Sequence, residues 1–425
     1  MSRRRACPFS KALSVAEVSL SESDLISRSS SISLTKVQIF LVILALACGG
    51  FGIGTGEFAI MGLLPDVART YFVTEPQAGW VISAYALGVV IGAPVIAVLA
   101  ARVSRRTLLL ALMAWFFVGN TLSAIAPDFG TFFVLRFLTG LPHGAYFGVA
   151  ALVAASLVPF HMRARAVGWV MLGLTIATLA GTPVTAFFGQ ILSWRMAFLF
   201  VGGIGGLTVA LIWLHLPKDE VEEGASIARE LSAFYRPQVW LTLGMAATGF
   251  GGMFAIFSYI ASTVTDVAML PTGMVAIILV IFGVGMNVGN LIGSKLADMS
   301  LMGTIGGVVT ANIAVMAVFA LTASNAYMLC LTVFLIGCSF AAGPAVQTRL
   351  MDVAADAQTL AAASMHSAFN IANAIGAWLG GLVIACGYGY AATGYVGAGL
   401  SLFGLLVFGL SFYLERAGRR ATISA

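Results

Sequence analysis

Twelve long apolar runs constrain what this chain can fold into. They cover approximately residues 38–64, 77–100, 106–126, 129–157, 164–191, 195–216, 238–264, 272–297, 302–323, 326–349, 358–385 and 390–413. A run of about 20 apolar residues is long enough to cross a bilayer as an α-helix. These runs are too long and too continuously apolar for the strands of a membrane barrel. The sequence therefore predicts an all-α polytopic membrane protein with twelve transmembrane helices.

Composition excludes an ordinary soluble protein and argues against an enzyme. Of the 425 residues, 60% are hydrophobic and only 9% are charged, whereas soluble domains carry about 25% charged residues. The segments between the runs are too short to fold a catalytic domain. The chain has neither a Gly-x-x-x-x-Gly-Lys-Ser/Thr loop nor a His/Cys cluster with metal-ligand spacing. We therefore predict no enzyme activity, no metal and no cofactor.

The distribution of Lys and Arg predicts the orientation in the membrane. If the N-terminus is cytoplasmic, all basic residues except Arg69, Arg136 and Arg195 lie at or near the cytoplasmic face. Cytoplasmic loops are enriched in Lys and Arg. We therefore predict a cell (inner or plasma) membrane protein with both termini cytoplasmic. The net charge of +5 then reflects this topology, and we predict no nucleic-acid partner.

The connections divide the chain into two bundles. The Ser-rich residues 1–36 lack the apolar core of a signal peptide, so we predict a disordered cytoplasmic tail or sequence upstream of the true start. The largest interior connection leaves six runs on either side. The predicted units are a six-helix bundle at 37–216, a cytoplasmic linker at 217–237, a second bundle at 238–413 and a cytoplasmic tail at 414–425.

An internal repeat relates the two bundles. The matching stretches are FLTG at 137–140 with FLIG at 334–337, and IATLAG at 176–181 with IANAIG at 371–376. At the 197-residue offset of the first pair, Gly88, Gly92 and Ala101 correspond to Gly285, Gly289 and Asp298. Parallel six-helix repeats are typical of transporters whose substrate site lies near the bilayer midplane between the halves. The sequence therefore predicts alternating access by rocking of two six-helix halves.

Four motifs carry a resemblance to a known family. They are GEFAIMGLLPDVA at 56–68, AGWVISAYALGVVIGAP at 78–94, RFLTGLPHG at 136–144 and GLTIATLAGTPVTAFFG at 173–189. Over about residues 37–415 the chain resembles a twelve-helix major facilitator superfamily transporter of the drug:proton antiporter type, in the arabinose-efflux and chloramphenicol-resistance branch. The resemblance implies a monomer in the lipid bilayer that exchanges a small-molecule solute for protons and uses the proton gradient without a cofactor.

The resemblance also implies gating and conformational residues. The loop ARVSRRTLLLALM at 101–113 stands where the superfamily has a Gly-x-x-x-Asp-Arg-x-Gly-x-Arg-Arg motif. It keeps the basic positions but has Ala101 at the acidic position, whereas its counterpart in the second half keeps the acid. A glycine/proline pattern in the fifth run is similar to the export signature, and we expect it to control helix bending and contact with helix eight. The gating candidates are Arg102, Arg105, Arg106, Asp298, Gly173, Gly181, Pro183 and Gly189.

Glu57 is the only acidic residue within the predicted spans. A charged side chain at the centre of a membrane helix costs about 2.5–3.5 kcal/mol. Glu57 precedes Pro65 by eight residues and Arg136 follows Asp128 by eight, so both lie about 12 Å below the outer surface at ~1.5 Å per residue. Burial favours a protonated carboxyl and a nearby Arg favours an ionised one. We predict that Glu57 couples proton movement with Arg136 as its partner; a static pair that locks two helices is the alternative.

Other polar residues in the predicted helices are weaker candidates for a substrate cavity. Polar side chains in membrane helices usually face the bundle interior, where they contact substrate or hydrogen-bond neighbouring helices. His143 lies on the same helical face as Arg136, and Tyr85 is the first aromatic candidate. The cavity candidates are Tyr85, His143, Asn287, Asn290, His366, Asn370 and Asn373.

Three functions fit these features. We favour proton-coupled efflux of a drug-like or sugar-like solute. A proton-coupled nutrient importer is the second, and the partial export signature in the fifth run argues against it. A channel or sensor is the third, and the six-plus-six repeat with one buried carboxylate argues against it. The residues do not distinguish a drug from a sugar as substrate.

Overall fold

A computed structural model describes residues 34–219, 221 and 226–424. Within these residues, twelve helices are long and apolar enough to cross a membrane. They are α1 (Lys36–Phe58), α2 (Trp80–Leu99), α3 (Arg105–Ala124), α4 (Phe129–Ser156), α5 (Phe160–Gly189), α6 (Trp194–His215), α7 (Pro237–Phe257), α8 (Gly273–Met299), α9 (Leu301–Thr322), α10 (Ala326–Val353), α11 (Gln358–Ala385) and α12 (Tyr390–Ala417). The predicted all-α fold with twelve spanning helices is confirmed, and residues 1–33 of the predicted tail lie outside the described residues.

Two helices end earlier than their apolar runs predicted. The first run extended to residue 64, but α1 ends at Phe58 and a 3₁₀ turn (Ala59–Gly62) leads into a short helix, Leu64–Tyr71, with Pro65 in its first turn. The seventh run extended to 264, but α7 ends at Phe257, and Tyr259 leaves the helical conformation. Apolarity measures whether a segment suits lipid, and it does not detect a break in the backbone within such a segment.

The fifth helix is interrupted at the predicted glycine/proline pattern. A π-helical turn, Ala177–Gly181, precedes Pro183. Proline in a helix removes one backbone hydrogen bond, and the wider π turn accommodates the carbonyls that lose their donors. The Ala177 carbonyl oxygen accepts both the backbone N–H of Thr182 and, at 3.3 Å, the Thr182 hydroxyl. The local break in α5 therefore follows from the sequence around Pro183.

Glycines bring two pairs of helices into backbone contact, one pair in each half. A Cβ atom added at Gly88 of α2 would meet the Phe137 carbonyl oxygen of α4. The equivalent Gly285 of α8 lies in the same way against the Phe334 carbonyl oxygen of α10. Lipid offers no hydrophobic drive for helix association, so close packing of small residues holds such crossings together. The α2–α4 and α8–α10 crossings are thus the structural counterpart of the sequence repeat.

We expect Gly88→Ala to destabilise the fold, because its new methyl group would overlap the backbone of α4. Overpacking of this kind costs about 1–3 kcal/mol. Gly203→Ala in α6 is the matched control, since nothing lies within 4 Å of a Cβ at that position. Thermal unfolding of the purified protein in detergent should show a lower midpoint for Gly88→Ala alone. Equal midpoints for the two variants would contradict this account of the crossing.

Candidate functional site

Arg136 lies about two turns into α4 and is fully buried. Its guanidinium carbon is 4.4 Å from the centroid of the Tyr85 ring of α2 and 5.5 Å from that of Phe198 of α6. All three guanidinium nitrogens lack a hydrogen-bond partner. A cation over an aromatic face is stabilised by the ring quadrupole, but five N–H donors remain unsatisfied. Arg136 is therefore a buried cation whose hydrogen-bonding capacity is unused.

Glu57 occupies the penultimate position of α1, where the helix tightens into its 3₁₀ turn. Its side chain is 9% exposed. Arg136 is close enough to act on the Glu57 carboxyl electrostatically, yet the two groups form no ion pair in the described structure. The static Glu57–Arg136 pair considered from the sequence is therefore absent, and the two groups are near neighbours that do not touch.

Glu57 differs from the other acidic residues in the observed helices. The structure extends α8, α10 and α12 to include Asp298, Asp352 and Glu415, so Glu57 is not the only acid within them. Each of the other three lies near a helix end and pairs with an arginine: Asp298 with Arg165, Asp352 with Arg163, and Glu415 with Arg349. Glu57 is the acid in this set that has no such pair.

A hydrogen-bonded chain links Tyr85 to the second half of the molecule. The Tyr85 hydroxyl lies 3.1 Å from Nδ1 of His143, and Nε2 of His143 lies 3.3 Å from Nδ1 of His366 in α11. The His366 ring stacks on Phe147 with centroids 4.4 Å apart. With the Tyr85 hydroxyl and Nε2 of His143 as donors, both histidines are neutral and accept at Nδ1, while Nε2 of His366 is buried without a hydrogen-bond partner among the described residues. The structure therefore connects Tyr85, His143 and His366, which were predicted separately, and the hydrogen bond between the two histidines joins the two halves.

The asparagine candidates have different surroundings. Asn287 accepts from the Thr175 hydroxyl at 2.9 Å and donates to the Thr175 carbonyl oxygen, and Asn290 donates to the Gly168 carbonyl oxygen at 2.7 Å. Both contacts join α8 to α5. Asn370 donates to the carbonyl oxygen of His366 in its own helix, and Asn373 is half-buried. Asn287 and Asn290 thus connect the two halves, while Asn370 lies beside the histidine pair.

Among the described residues, the hydrogen bonds between the halves lie near mid-membrane and on one side of it. From the histidine pair and the Thr175–Asn287 contact near mid-membrane, they continue to Arg163–Asp352 at 2.8 Å. The last of these lies at the ends of α5 and α10 where Lys and Arg are concentrated. Sequence analysis missed this ion pair, although a basic residue just before the fifth run and an acid just after the tenth were a usable signal. The halves are therefore closed on the Lys/Arg-rich side.

The predicted gating residues separate into three groups. The backbone N–H groups of Arg105 and Arg106, at the start of α3, donate to Asp219 in the connection after α6, and Arg102 is exposed. Asp298 accepts from the start of α5 in the other half, at 2.9 Å from the Ala164 nitrogen. Only Asp298 of these charged candidates joins the halves through a described hydrogen bond.

The glycines of α5 do not contact helix eight as predicted. Gly173, Gly181 and Gly189 lie against Ala47, Thr55 and Leu63 respectively, in and just after α1. The contact with α8 is made at Gly168, beside Ser294, and at Leu179, beside Gly283. The expectation was wrong because α5 packs between two helices, and the spacing of small residues does not say which one each glycine faces. Pro183 is exposed.

Outside the group formed by Glu57, Arg136, Tyr85 and the two histidines, the described residues offer few sites that could hold a ligand. The described residues contain no group of three or more His, Cys, Asp and Glu side chains that could hold a metal ion. An apolar groove of about 950 Å³ lies between α1 and α5, with Lys36 at one end, and includes Gly173 but neither Glu57 nor Arg136. The groove therefore does not include the group formed by Glu57, Arg136, Tyr85 and the two histidines.

Comparison with known proteins identifies the family. The sequence profile of the Major Facilitator Superfamily matches residues 46–362. The inner membrane transport protein YdhP of Escherichia coli (strain K12) is 42% identical over 376 residues, covering 88% of this chain and 96% of that protein. The chloramphenicol resistance protein of Streptomyces lividans is 32% identical, covering 85% and 92%. The chain belongs to the Major Facilitator Superfamily, as its motifs predicted.

A solved structure supports the same fold. The major facilitator superfamily proton:xylose symporter XylE matches with a TM-score of 0.74 over 89% of this chain and 96% of that chain, at 16% sequence identity. At this identity the likeness shows the fold alone. Together with the twelve spanning helices and the family match, it defines a multi-pass membrane transporter of this superfamily.

We expect the Tyr85 ring and hydroxyl to contribute separately to stability. Tyr85→Phe keeps the ring beside Arg136 but removes the hydroxyl that bonds His143, at a cost of about 1 kcal/mol. Tyr85→Leu also removes the aromatic face, which should cost about 1–2 kcal/mol more at a desolvated site. Thermal unfolding should therefore rank wild type above Tyr85→Phe and Tyr85→Leu lowest. If the two variants unfold together, the ring does not stabilise Arg136.

Proposed function

We propose that this chain is a proton-coupled exporter of a drug-like or sugar-like solute, with Glu57 as the residue that binds and releases the proton. The observation that carries the proposal is the arrangement of Glu57, Arg136 and Tyr85. A buried carboxyl lies within electrostatic range of a buried guanidinium that has no hydrogen-bond partner. An ionised Glu57 would be drawn to that guanidinium, whereas a protonated Glu57 would not.

Tyr85 provides the alternative position for Arg136. The guanidinium lies over the Tyr85 ring, so it remains stabilised while it is separated from Glu57. Burying either charge alone is costly, which links loss of the Glu57 proton to movement of Arg136. The described arrangement, with the pair separated, suits a protonated Glu57. Tyr85 also contacts His143, and His143 contacts His366. Movement of Arg136 away from Tyr85 would therefore alter the contact between the halves.

Membrane orientation gives the direction. With the Lys/Arg-rich side cytoplasmic, both termini are cytoplasmic and the closed side of the described state faces the cytoplasm. The state would then be outward-facing, and Glu57 would exchange its proton with the external side in this state. A solute released to the outside would be followed by proton entry at Glu57, and return of the proton to the cytoplasm would drive the cycle.

The relatives support export and leave the solute open. The Streptomyces lividans relative is named for chloramphenicol resistance, and we propose by similarity that drug-like solutes are substrates. A sugar-like solute is the second candidate, because the Helicobacter pylori (strain G27) relative, 26% identical to this chain, is named a probable sugar efflux transporter. Both fit an antiport cycle that needs only the proton gradient.

We expect Glu57→Gln to abolish solute-driven proton movement. In everted membrane vesicles with an acidified interior, chloramphenicol or a pentose should release protons from vesicles containing the wild-type protein, recorded with a pH-sensitive dye. The amide cannot carry the proton, so the solute-driven flux should fall to the level of vesicles that lack the protein. Solute exchange without net proton movement should persist, since it does not require deprotonation.

Asp66→Asn is the matched control. Asp66 follows Glu57 in the chain but is paired with Arg69, whose side chain is exposed, and its neutralisation should leave the flux unchanged. Proton release by Glu57→Gln at the wild-type rate would rule out Glu57 as the coupling group. Proton uptake into vesicles together with the solute would instead identify an importer.

A further inference from the structure

The start of α5 is held by an acid from the opposite half. Oδ1 of Asp298, at the end of α8, accepts from the backbone nitrogens of Ala164 and Arg165 at 2.9 and 3.3 Å. Nε of Arg165 lies 3.3 Å from the other carboxylate oxygen. The first N–H groups of a helix have no partner within the helix, and the helix dipole favours an anion there. Asp298 therefore fastens the first half to the second on the Lys/Arg-rich side.

The internal repeat predicts an equivalent contact at the start of α11, but the residue that corresponds to Asp298 is not acidic. Asp298 corresponds to Ala101, just after α2, and α5 corresponds to α11. At the 195-residue offset between these helices, Arg165 corresponds to Leu360. The methyl side chain of Ala101 cannot accept a hydrogen bond. By symmetry alone, the Leu360 N–H would lack the partner that the Arg165 N–H has.

A different acid supplies that partner. The Leu360 nitrogen donates to Oε2 of Glu230 at 2.8 Å. Glu230 is 8% exposed and belongs to a five-residue helix, Ile227–Leu231, in the connection between the halves. Its neighbour Arg229 donates from Nε to the Asp356 carbonyl oxygen at 2.8 Å, just before α11. The linker helix thus binds the start of α11 through two adjacent residues.

The same linker helix also reaches the first half. It packs against α2, the helix that ends immediately before Ala101, as well as against α11. Its attachment to α11 therefore holds α11 against α2 on the side where the halves are closed. The bond from Glu230 occupies the position that the repeat assigns to an acid after α2.

We propose that Glu230 is a positioning residue for alternating access, which replaces the acid missing at Ala101 and holds the Lys/Arg-rich side closed through the start of α11. The starts of α5 and α11 would then each be held by one acid, Asp298 at the end of α8 and Glu230 in the linker. Opening of this side requires the Leu360 N–H to leave Glu230, so the linker takes part in the transport cycle. This role depends on neither the solute nor Glu57.

The test measures the conformation directly. Spin labels are placed at Val103→Cys and Met299→Cys, one in each half and both exposed on this side, after the native cysteines are replaced by serine. Distances are measured by pulsed electron paramagnetic resonance in lipid nanodiscs, without solute or pH gradient. Glu230→Ala should raise the ratio of long to short distances about tenfold, the effect of losing one charge-assisted hydrogen bond. Adding Ala101→Asp to that variant should restore the wild-type distribution.

Ala101→Asp alone is the control and should leave the short distance dominant. If Glu230→Ala fails to fold, Glu230→Gln takes its place, since the amide retains an acceptor oxygen but lacks the charge; a smaller shift in the same direction is then expected. An unchanged distribution in a folded Glu230 variant would overturn the proposal. So would a shift that Ala101→Asp does not reverse, because Glu230 would then act only within the linker. Neither result bears on proton coupling at Glu57.

Discussion

The close crossing of α2 and α4 is the constraint on which the site depends. A side chain at Gly140 would meet the carbonyl oxygen of Tyr85, so the glycine sets how near the two helices lie. That spacing places the Tyr85 ring over Arg136 and its hydroxyl at His143. In lipid, where helices gain little from burying apolar surface against one another, such steric fit decides the geometry. The position of Arg136 relative to Tyr85 therefore depends on glycines, which have no side chain that could bind a ligand or a proton.

The contact between the halves is built from two kinds of individually weak interactions. Near mid-membrane it consists of neutral hydrogen bonds such as His143–His366 at 3.3 Å, and toward the Lys/Arg-rich end it includes ion pairs such as Arg163–Asp352. Exposed ion pairs are worth about 0–1 kcal/mol each, and neutral hydrogen bonds are comparable. No single contact is therefore strong enough to fix one state, which suits a protein that must alternate between two.

The sequence predicted the helices and the principal charged residues, but not how those residues are partnered. The apolar runs were sufficient for the twelve spans, because they depend on local composition. Glu57 and Arg136 stood out because charges are rare in such runs. Their separation, with Arg136 on Tyr85, depends on a side-chain conformation that spacing does not encode. The His143–His366 contact joins residues 223 positions apart, and no local pattern indicates it.

The repeat explains why Glu230 was overlooked and why its position is informative. Duplicated halves begin with equivalent contacts, so the loss of an acid at Ala101 leaves a helix start without its anion unless another group replaces it. The replacement need not come from the equivalent position, because a backbone N–H can donate to any carboxylate that reaches it. Here it comes from the connection between the halves, which the repeat does not include. The repeat shows that an acceptor is missing for the Leu360 N–H, and only the three-dimensional structure shows that Glu230 supplies it.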